Sequence, residues 1–382
     1  MSHTKDTGSK KNSGEIFDLM DSELERRKQA GNYRSLKTNK SKIDFSSNDY
    51  LGLAKLSDFK TEINYPKGST GSRLLSGNHD VHLDFEKYLA DFFKAESALL
   101  MNSGYSASLS VLSSVPKRND LILYDELAHA CIKDGTRLSF AKHQSFRHND
   151  LDDLKKKLDK HVGGQMFVVV ESIYSMDGDE SPLVELVELS KKYSFHLILD
   201  EAHSTGLYLG GKGLAHELNL QESIFARIYT FGKAIGRHGA CVIGSGTLKN
   251  HLINFARPFI YTTAMSPFDV FSIQNSFQSL VHKGEKLRRT LKDNIALFRN
   301  NLSVMQTRSI LLLPSNSPIQ PIIISDKKLL SSVSNQLTEH GFDVRPIFSP
   351  TVKEGTERLR VVLHAFNTKN EIDRLSESLA QF

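Results

Sequence analysis

The feature that most constrains the fold is a regular alternation of short apolar runs with helical stretches between residues 97 and 246. The runs SALLM, LILYD, MFVVVESIY and HLILD are apolar along most of their length, and not only at every second position. A strand of this kind is buried on both faces, as in a parallel sheet whose two sides are covered by helices. The alternation therefore predicts an α/β fold with a mainly parallel central sheet.

The regions on either side of this alternation predict a different organisation. Apolar spacing indicates a helix from Glu15 to about Gly31 and a long helical region from about Pro267 to Leu302. Strands are expected beyond it at IQPIIIS, FDVRPI and LRVVLHA, with helices between them. We therefore expect an N-terminal arm and helix over residues 1–50, a large α/β domain over residues 51–275 and a smaller C-terminal α+β domain over residues 276–382.

Composition and charge argue against several other classes of protein. Lys and Arg number 49 against 44 Asp and Glu, and a net charge of +5 without a clustered basic face is not typical of a nucleic-acid binder. Cys131 and Cys241 lie in apolar contexts, which predicts buried thiols and neither a disulfide framework nor a metal site. No apolar run is long enough to cross a membrane, and the polar start lacks the apolar segment of a signal peptide. We therefore expect a cytoplasmic protein with no nucleic-acid or membrane partner.

Polar residues follow several of the predicted strands, at the edge where a parallel sheet binds its ligands. Gly104 and Tyr105 follow SALLM and begin a helix, where backbone N–H groups can bind an anion. Asp200 ends HLILD, His203 lies three residues further on, and Ser175 lies in the loop after MFVVVESIY. Each group also has an ordinary explanation, as part of a strand–helix turn, a helix N-cap or the tight turn MDGD. Metal binding is not predicted, because no third ligand lies near Asp200 and His203 in the sequence.

The stretch RIYTFGKAIGRHGACVIG, residues 227–244, places Lys233 on a glycine-bounded turn between two apolar runs. It is not a Walker-type phosphate loop, because the upstream glycine is missing and Ala234 replaces the Ser or Thr after the lysine. Lys233 is either an ordinary loop residue or an amine placed to react, with Thr230 just before it. An amine, a carboxylate, a histidine and anion-binding N–H groups at one edge are the set that pyridoxal phosphate requires.

Ten motifs between Asn48 and Leu363 resemble, in order, those of the α-oxoamine synthases, which are fold-type I pyridoxal-phosphate enzymes, and the resemblance covers the chain from about Ile16 to Leu379. The resemblance implies a mainly parallel central sheet covered by helices and a smaller C-terminal α+β domain. The motifs are NDYLGL, GSTGSRLLSGNHDVHLDFE, SGYSAS, LAHAC, SFRHNDL, SIYSMDGD, LDEAHSTG, TFGKAIG, IYTTAMSP and GTERLRVVL.

The resemblance also implies roles for the residues around the cofactor ring. Lys233 would bond the cofactor covalently and later move the proton of the substrate. Asp200 would pair with the pyridinium nitrogen, and His203 and Ser175 would contact the ring oxygen or its surroundings. His129, in LAHAC, would stack on the ring and help to position the substrate, although the residues alone also allow a histidine satisfied by its helix neighbours.

The phosphate contacts that the resemblance implies come from two subunits. The N–H groups at Gly104 and Tyr105, together with Thr230, would hold the phosphate within one chain. Thr262 and Thr263, in IYTT, would reach the phosphate of the neighbouring subunit. A homodimer with a shared active site is therefore expected.

Four further residues are expected at the substrate. Arg360, the second arginine of RLR, would clamp the amino-acid carboxylate through two hydrogen bonds. Asn48 would lie at the substrate entrance, and Thr351 is a candidate contact in a segment that is longer than in the common family pattern. Arg34 is the nearest candidate for a further substrate-binding arginine, and a solvated arginine near a helix end explains it equally well.

Members of this family condense an amino acid with an acyl thioester. The stretch FARPFIYTTAMSP favours the branch that joins L-alanine to a pimeloyl thioester, carried by coenzyme A or acyl carrier protein, in biotin biosynthesis. The glycine C-acetyltransferase branch typically has Ser-Asn in place of Thr262 and Thr263. A ketosynthase that uses serine or glycine is a third possibility within the family. A non-catalytic cofactor-binding regulator is the alternative from another class, and it usually needs an attached DNA-binding or partner module.

Overall fold

The structure is a computed structural model that describes residues 9–36, 38, 41–56, 65–304 and 311–382. The strands of these residues are β1 Ile43–Asp44, β2 Ser97–Met101, β3 Leu121–Asp125, β4 Lys142–Phe146, β5 Met166–Glu171, β6 His196–Asp200, β7 Ala226–Thr230, β8 Ala240–Gly244, β9 Leu311–Leu312, β10 Ile319–Ile323, β11 Phe342–Asp343, β12 Arg345–Ile347 and β13 Arg358–Val362. The helices are α1 Ser9–Gln29, α2 Asp80–Phe92, α3 Gly104–Ser114, α4 Ala130–Leu138, α5 Leu151–Leu158, α6 Leu183–Tyr193, α7 Leu214–Glu217, α8 Gly246–Phe255, α9 Arg257–Ile260, α10 Pro267–Val304, α11 Lys327–Glu339 and α12 Lys369–Leu379.

The central sheet has the strand order β2-β8-β7-β6-β5-β3-β4. Neighbouring strands from β7 to β4 are parallel, and only β8 runs against its two neighbours. The connection from β7 to β8 is the short glycine-bounded turn, and a short connection can join only antiparallel neighbours, since a parallel pair needs a long crossover. The prediction of a mainly parallel sheet in an α/β fold is confirmed.

Both faces of this sheet are buried, as the apolar runs predict. In β2, Leu100 packs in a core cluster on one face, whereas its neighbours Leu99 and Met101 pack in a second cluster on the other. Successive side chains of a strand point to opposite faces, so an apolar residue is needed at every position.

One strand of the central sheet does not follow this apolar pattern. The edge strand β4, KHQSF, is polar, and its first three residues are exposed. An edge strand at the surface needs no continuous apolar run, and lysine on an edge discourages pairing with other chains. The hydrophobic pattern therefore contains no signal for β4.

The C-terminal residues form a second, antiparallel sheet in the order β12-β13-β10-β9. The short strand β1 pairs with β11 in parallel, so the segment before residue 50 is attached to the C-terminal part of the chain. The predicted division at residues 275 and 276 falls inside α10. The three-part domain division remains a prediction.

Helix α1 differs in extent from its prediction. Helix α1 begins at Ser9, six residues before the predicted Glu15. Helix α4 begins at Ala130 because the ring of His129 caps it, accepting the backbone N–H of Cys131.

Cys131 and Cys241 are both buried free thiols, as predicted. Within the described ranges, no helix combines the length and the apolar character that a membrane span requires.

Phe277 of α10 offers a test of how the core is held together. Its buried ring lies within 6.2 Å, between ring centroids, of Phe85, Tyr88, Phe92, Phe93 and Phe231. Phe277→Ala should lower the free energy of unfolding by about 3–5 kcal/mol, because it removes a buried ring and leaves a cavity. Urea-induced unfolding at matched cofactor content measures the change.

The matched control for Phe277 is Val281→Ala, one turn further along α10 at a side chain that is 57% exposed. This exposed change should alter the free energy of unfolding by no more than about 0.5 kcal/mol. Equal losses in the two variants would contradict this account of the core.

Candidate active site

A cavity of about 470 Å³ lies at the carboxyl ends of the central strands, between them and the C-terminal sheet. The structure brings most of the predicted site residues to its wall, from segments that are far apart in the sequence. Those residues are Asn48, Gly104, Tyr105, His129, Ser175, Asp200, His203, Thr230, Lys233 and Arg360.

Lys233 lies on the turn between β7 and β8, with its ammonium nitrogen Nζ 3.4 Å from Oγ1 of Thr230. Its side chain is half-buried among cavity residues. Burial lowers the pKa of Lys233, while the carboxyl groups of Asp200 and Glu171 act in the opposite direction. The result agrees with the expectation of a lysine with a lowered pKa, which is nucleophilic as the neutral amine.

Two carboxyl groups lie opposite this amine on adjacent parallel strands. Asp200 ends β6 and Glu171 ends β5, and the two are paired in register. Burial raises the pKa of both groups, and their proximity adds to the increase at Glu171. Asp200 accepts the backbone N–H of Ala202 at 2.9 Å, and Glu171 accepts that of His129 at 2.6 Å. Glu171 was not among the predicted site residues.

His129 joins the end of β5 to the start of α4. Its backbone donates to Glu171, and its ring nitrogen Nδ1 lies 3.2 Å from the N–H of Cys131 and 3.0 Å from the Cys131 thiol. The rest of the ring is exposed in the cavity. A ring that is fixed at one nitrogen and free on its face can stack on a flat ligand.

The start of α3 forms a narrow anion cradle. Ser103 caps this eleven-residue helix, and its hydroxyl accepts the N–H of Ser106. A Cβ atom at Gly104 would lie only 2.4 Å from the methyl carbon of Thr230, so the two backbone segments approach closely because residue 104 is glycine. Free N–H groups at a helix N-terminus suit a phosphate.

The opposite wall comes from β13 and from the segment after β1. Arg360 donates from Nε to the carbonyl oxygen of Ser175 at 2.7 Å and from Nη2 to Oδ1 of Asn48 at 3.0 Å. The hydroxyl of Tyr50 lies 2.6 Å from Nδ1 of His203. Tyr50 was not predicted as a site residue, although it belongs to the quoted motif NDYLGL.

A second guanidinium, that of Arg345, also reaches the cavity wall and was not predicted. Arg345 stands directly opposite Arg360 in the pairing of β12 with β13. Its Nε lies 2.8 Å from a carboxylate oxygen of Asp343. Cross-strand pairing puts the two arginines side by side, and their sequence separation gives no sign of this.

The remaining four predicted residues lie outside this cavity. Thr262 lines a separate, much smaller pocket, and the amide of Asn102 donates to the carbonyl oxygen of Thr263 at 2.8 Å. Thr351 and Arg34 are exposed and are absent from the cavity wall. Their roles at a substrate, and those of the two threonines at a partner's phosphate, remain predictions.

The cavity has the groups that pyridoxal phosphate needs. A lysine amine and a buried carboxyl group line it, a helix N-terminus and a threonine hydroxyl can hold the phosphate, and a histidine ring is exposed in it. The close approach of Gly104 to Thr230 brings the N-terminal turn of α3 next to the threonine hydroxyl. The residues present therefore fit this cofactor.

Comparisons with known proteins agree with this geometry. The model of the family "Aminotransferase class I and II" matches residues 40–379. An 8-amino-7-oxononanoate synthase of Emericella nidulans is 39% identical over 370 residues, which are 89% of each chain.

Two solved structures extend these comparisons to the fold. A serine palmitoyltransferase from S. paucimobilis with a bound PLP–myriocin aldimine superposes with a TM-score of 0.86, at 25% identity over 99% of this chain and 98% of that one. An 8-amino-7-oxononanoate synthase from Francisella tularensis gives a TM-score of 0.77, at 29% identity over 89% and 97%. The chain belongs to the aminotransferase class I and II family, as an enzyme of its α-oxoamine synthase branch, and its cofactor is pyridoxal 5'-phosphate.

Proposed function

We propose that this enzyme is an 8-amino-7-oxononanoate synthase of biotin biosynthesis. It condenses L-alanine with a pimeloyl thioester of coenzyme A or acyl carrier protein. The net reaction joins the alanine Cα to the acyl carbonyl carbon, breaks the thioester and releases carbon dioxide and the free thiol carrier. The observation that carries the proposal is one cavity with an amine, a buried carboxyl group and an arginine, in a chain 39% identical to an enzyme of that name.

The cofactor, when bound, supplies an electron sink that is conjugated to the Cα of the amino acid. Lys233 holds the cofactor and then takes and returns the proton at that Cα, for which its lowered pKa suits it. Asp200 holds a proton on the pyridine nitrogen. Its buried carboxyl group is ionised most readily when it faces a positive charge.

Arg360 and Asn48 are the proposed binding groups for the amino-acid carboxylate. Two donors on Arg360 are already oriented by the Ser175 carbonyl and the Asn48 amide oxygen, so the guanidinium is held in one plane. Planar guanidinium groups bind carboxylates through paired hydrogen bonds. His129 is placed to stack on the cofactor ring, and Ser175 lies beside it on the cavity wall.

We also propose that the enzyme is a homodimer in which Thr262 and Thr263 contact the partner's phosphate. The loop that contains Gly71 is linked to the segment of these two threonines by a hydrogen bond of 2.9 Å, which the N–H of Ala264 donates to the Gly71 carbonyl oxygen. Large apolar side chains are exposed on both sides of the link, at Leu74, Leu75 and Tyr261. An exposed apolar surface of this kind favours burial against a second copy. The cytoplasmic location remains a prediction.

The alternatives differ in the amino acid that they use. The TM-score of 0.86 to a serine palmitoyltransferase favours a serine-using synthase as the second candidate, since that fold covers 99% of this chain. Glycine C-acetyltransferase remains the alternative that uses glycine. A regulator without catalysis would bind the cofactor and turn over no pair of amino acid and thioester.

Replacing Lys233 tests the catalytic assignment. Lys233→Ala should lower kcat by at least about 10³-fold, because the variant has neither the covalent attachment nor the proton-transfer group. Borohydride reduction followed by mass spectrometry should add the cofactor mass to the peptide containing Lys233 in the wild type and to no peptide in the variant. Lys191→Ala, at an exposed position on α6, is the control and should behave as the wild type. Near-normal turnover by Lys233→Ala would refute the assignment.

Gly104 tests the phosphate cradle. Gly104→Ala should weaken cofactor binding about tenfold, because its new methyl group would collide with the methyl group of Thr230. Adding Thr230→Ser keeps the hydroxyl and removes that methyl group, so the double variant should recover most of the affinity. Equilibrium titration of the cofactor-free protein with pyridoxal phosphate, followed by absorbance, gives the dissociation constants. Wild-type affinity in Gly104→Ala, or no recovery in the double variant, would contradict the cradle.

A further inference from the structure

A buried tyrosine and a buried histidine meet behind the cofactor cavity. The side chain of Tyr50 is 0% exposed and that of His203 is 5% exposed. The Tyr50 hydroxyl oxygen lies 2.6 Å from Nδ1 of His203 and 3.3 Å from Oδ1 of Asn48. His203 lies just beyond β6 and lines the cavity, whereas Tyr50 lies behind it and has no part in the roles assigned above.

The segment that carries Tyr50 is firmly held. The Tyr50 carbonyl oxygen accepts the N–H of Ala365 at 2.8 Å, and the carbonyl oxygen of Phe45 accepts that of Val362 at 2.8 Å. The hydroxyl therefore reaches His203 from a segment that is bonded to the C-terminal sheet. Because this segment holds the hydroxyl in place, the contact sets the orientation of the imidazole ring.

The protonation states of Tyr50 and His203 limit the possible hydrogen-bond arrangements between them. Burial raises the pKa of Tyr50 to about 12, so its hydroxyl keeps its proton and must donate it. Burial, together with the positive charges of Lys233 and Arg360, lowers the pKa of His203 well below its usual range. The imidazole is therefore neutral and carries one proton, on Nδ1 or on Nε2.

The distances from the Tyr50 hydroxyl oxygen distinguish the two acceptors to which it can donate. Tyr50 donates either to Nδ1 of His203 at 2.6 Å or to Oδ1 of Asn48 at 3.3 Å. In the rival arrangement Nδ1 of His203 would donate to the hydroxyl oxygen at the same 2.6 Å, which is shorter than the usual range of about 2.7–3.2 Å for an N–H donor but within the usual range of about 2.5–3.0 Å for an O–H donor. The Asn48 oxygen also has a charged donor already, from Arg360 at 3.0 Å.

We propose that Tyr50 is a positioning residue that fixes the tautomer of His203: its hydroxyl donates to Nδ1, so the ring proton resides on Nε2. His203 then offers its second nitrogen as a hydrogen-bond donor and not as an acceptor. A donor suits a partly negative ring oxygen of the cofactor, and an acceptor would repel it. This inference rests on the proposed contact of His203 with the cofactor, and it holds for whichever amino acid the enzyme uses.

Nitrogen-15 NMR of the holoenzyme labelled at histidine measures the tautomer directly. The signals of His203 are assigned as those lost in His203→Gln. In the wild type they should show a protonated Nε2 and an unprotonated, hydrogen-bonded Nδ1. In Tyr50→Phe the proton should be shared between the two nitrogens. A proton on Nδ1 in the wild type would overturn the proposal.

A second variant tests the rival arrangement, even where Tyr50→Phe fails to fold. Asn48→Ala removes the other acceptor of the tyrosine hydroxyl. The proposal expects the wild-type tautomer of His203 in this variant. A change of tautomer would mean that Tyr50 donates to Asn48, and it would overturn the proposal.

The steady-state kinetics of Tyr50→Phe, compared with those of a matched control, give a further test of the proposed role of Tyr50. Tyr50→Phe should lower kcat about 3- to 10-fold, the effect of one hydrogen bond. Tyr229→Phe is the matched control, since Tyr229 is equally buried and its hydroxyl accepts from Arg227 on the sheet face opposite Thr230. It should leave the tautomer of His203 unchanged. Equal changes of kcat and tautomer in the two variants would contradict the assignment.

Discussion

The proposed chemistry of this enzyme depends on a half-buried lysine amine that shares a cavity with two buried carboxyl groups. Burial lowers the pKa of Lys233 and raises those of Asp200 and Glu171, so each group is driven towards its neutral form. Backbone N–H donors from Ala202 and His129 offset part of the cost of placing the carboxyl groups there. Under the proposed roles, a positively charged ring nitrogen beside Asp200 would favour its ionised form, and the neutral amine of Lys233 would be free to react with the cofactor.

The sheet order makes this arrangement possible. Strands β5, β6 and β7 are adjacent and parallel, so their carboxyl ends deliver Glu171, Asp200 and Thr230 to a single edge. The antiparallel turn after β7 then folds Lys233 back over that edge. Both carboxyl groups are thus positioned by strand ends and the amine by a short turn between two paired strands, which suits the proposed site because it must hold its geometry through several proton movements.

The C-terminal sheet supplies the other half of the site. Arg360 and Arg345 lie side by side on β13 and β12. The segment before residue 50 joins them to the central sheet through Asn48 and Tyr50. One short segment therefore contacts both the guanidinium proposed to bind the substrate carboxylate and the histidine proposed to contact the cofactor.

The sequence predicted the parts of this structure that depend on local pattern. Continuous apolar runs indicated the buried strands, and Lys233 was recognisable from the glycines around it. The polar edge strand β4 had no such pattern. Glu171, Tyr50 and Arg345 were missed as site residues because their partners are 42, 153 and 15 positions away or across a sheet. Such contacts arise only when the chain has folded. Thr351 and Arg34 were predicted from the family pattern, and the fold leaves both outside the cavity.

The most direct test of the proposed function is the visible absorbance of the purified holoenzyme during separate titrations with L-alanine, glycine and L-serine. The account predicts a band of lysine-bound cofactor that responds saturably to L-alanine and poorly to the other two. A response selective for glycine or for serine would contradict the alanine assignment. The absence of any such band after addition of pyridoxal phosphate would contradict the central role of Lys233.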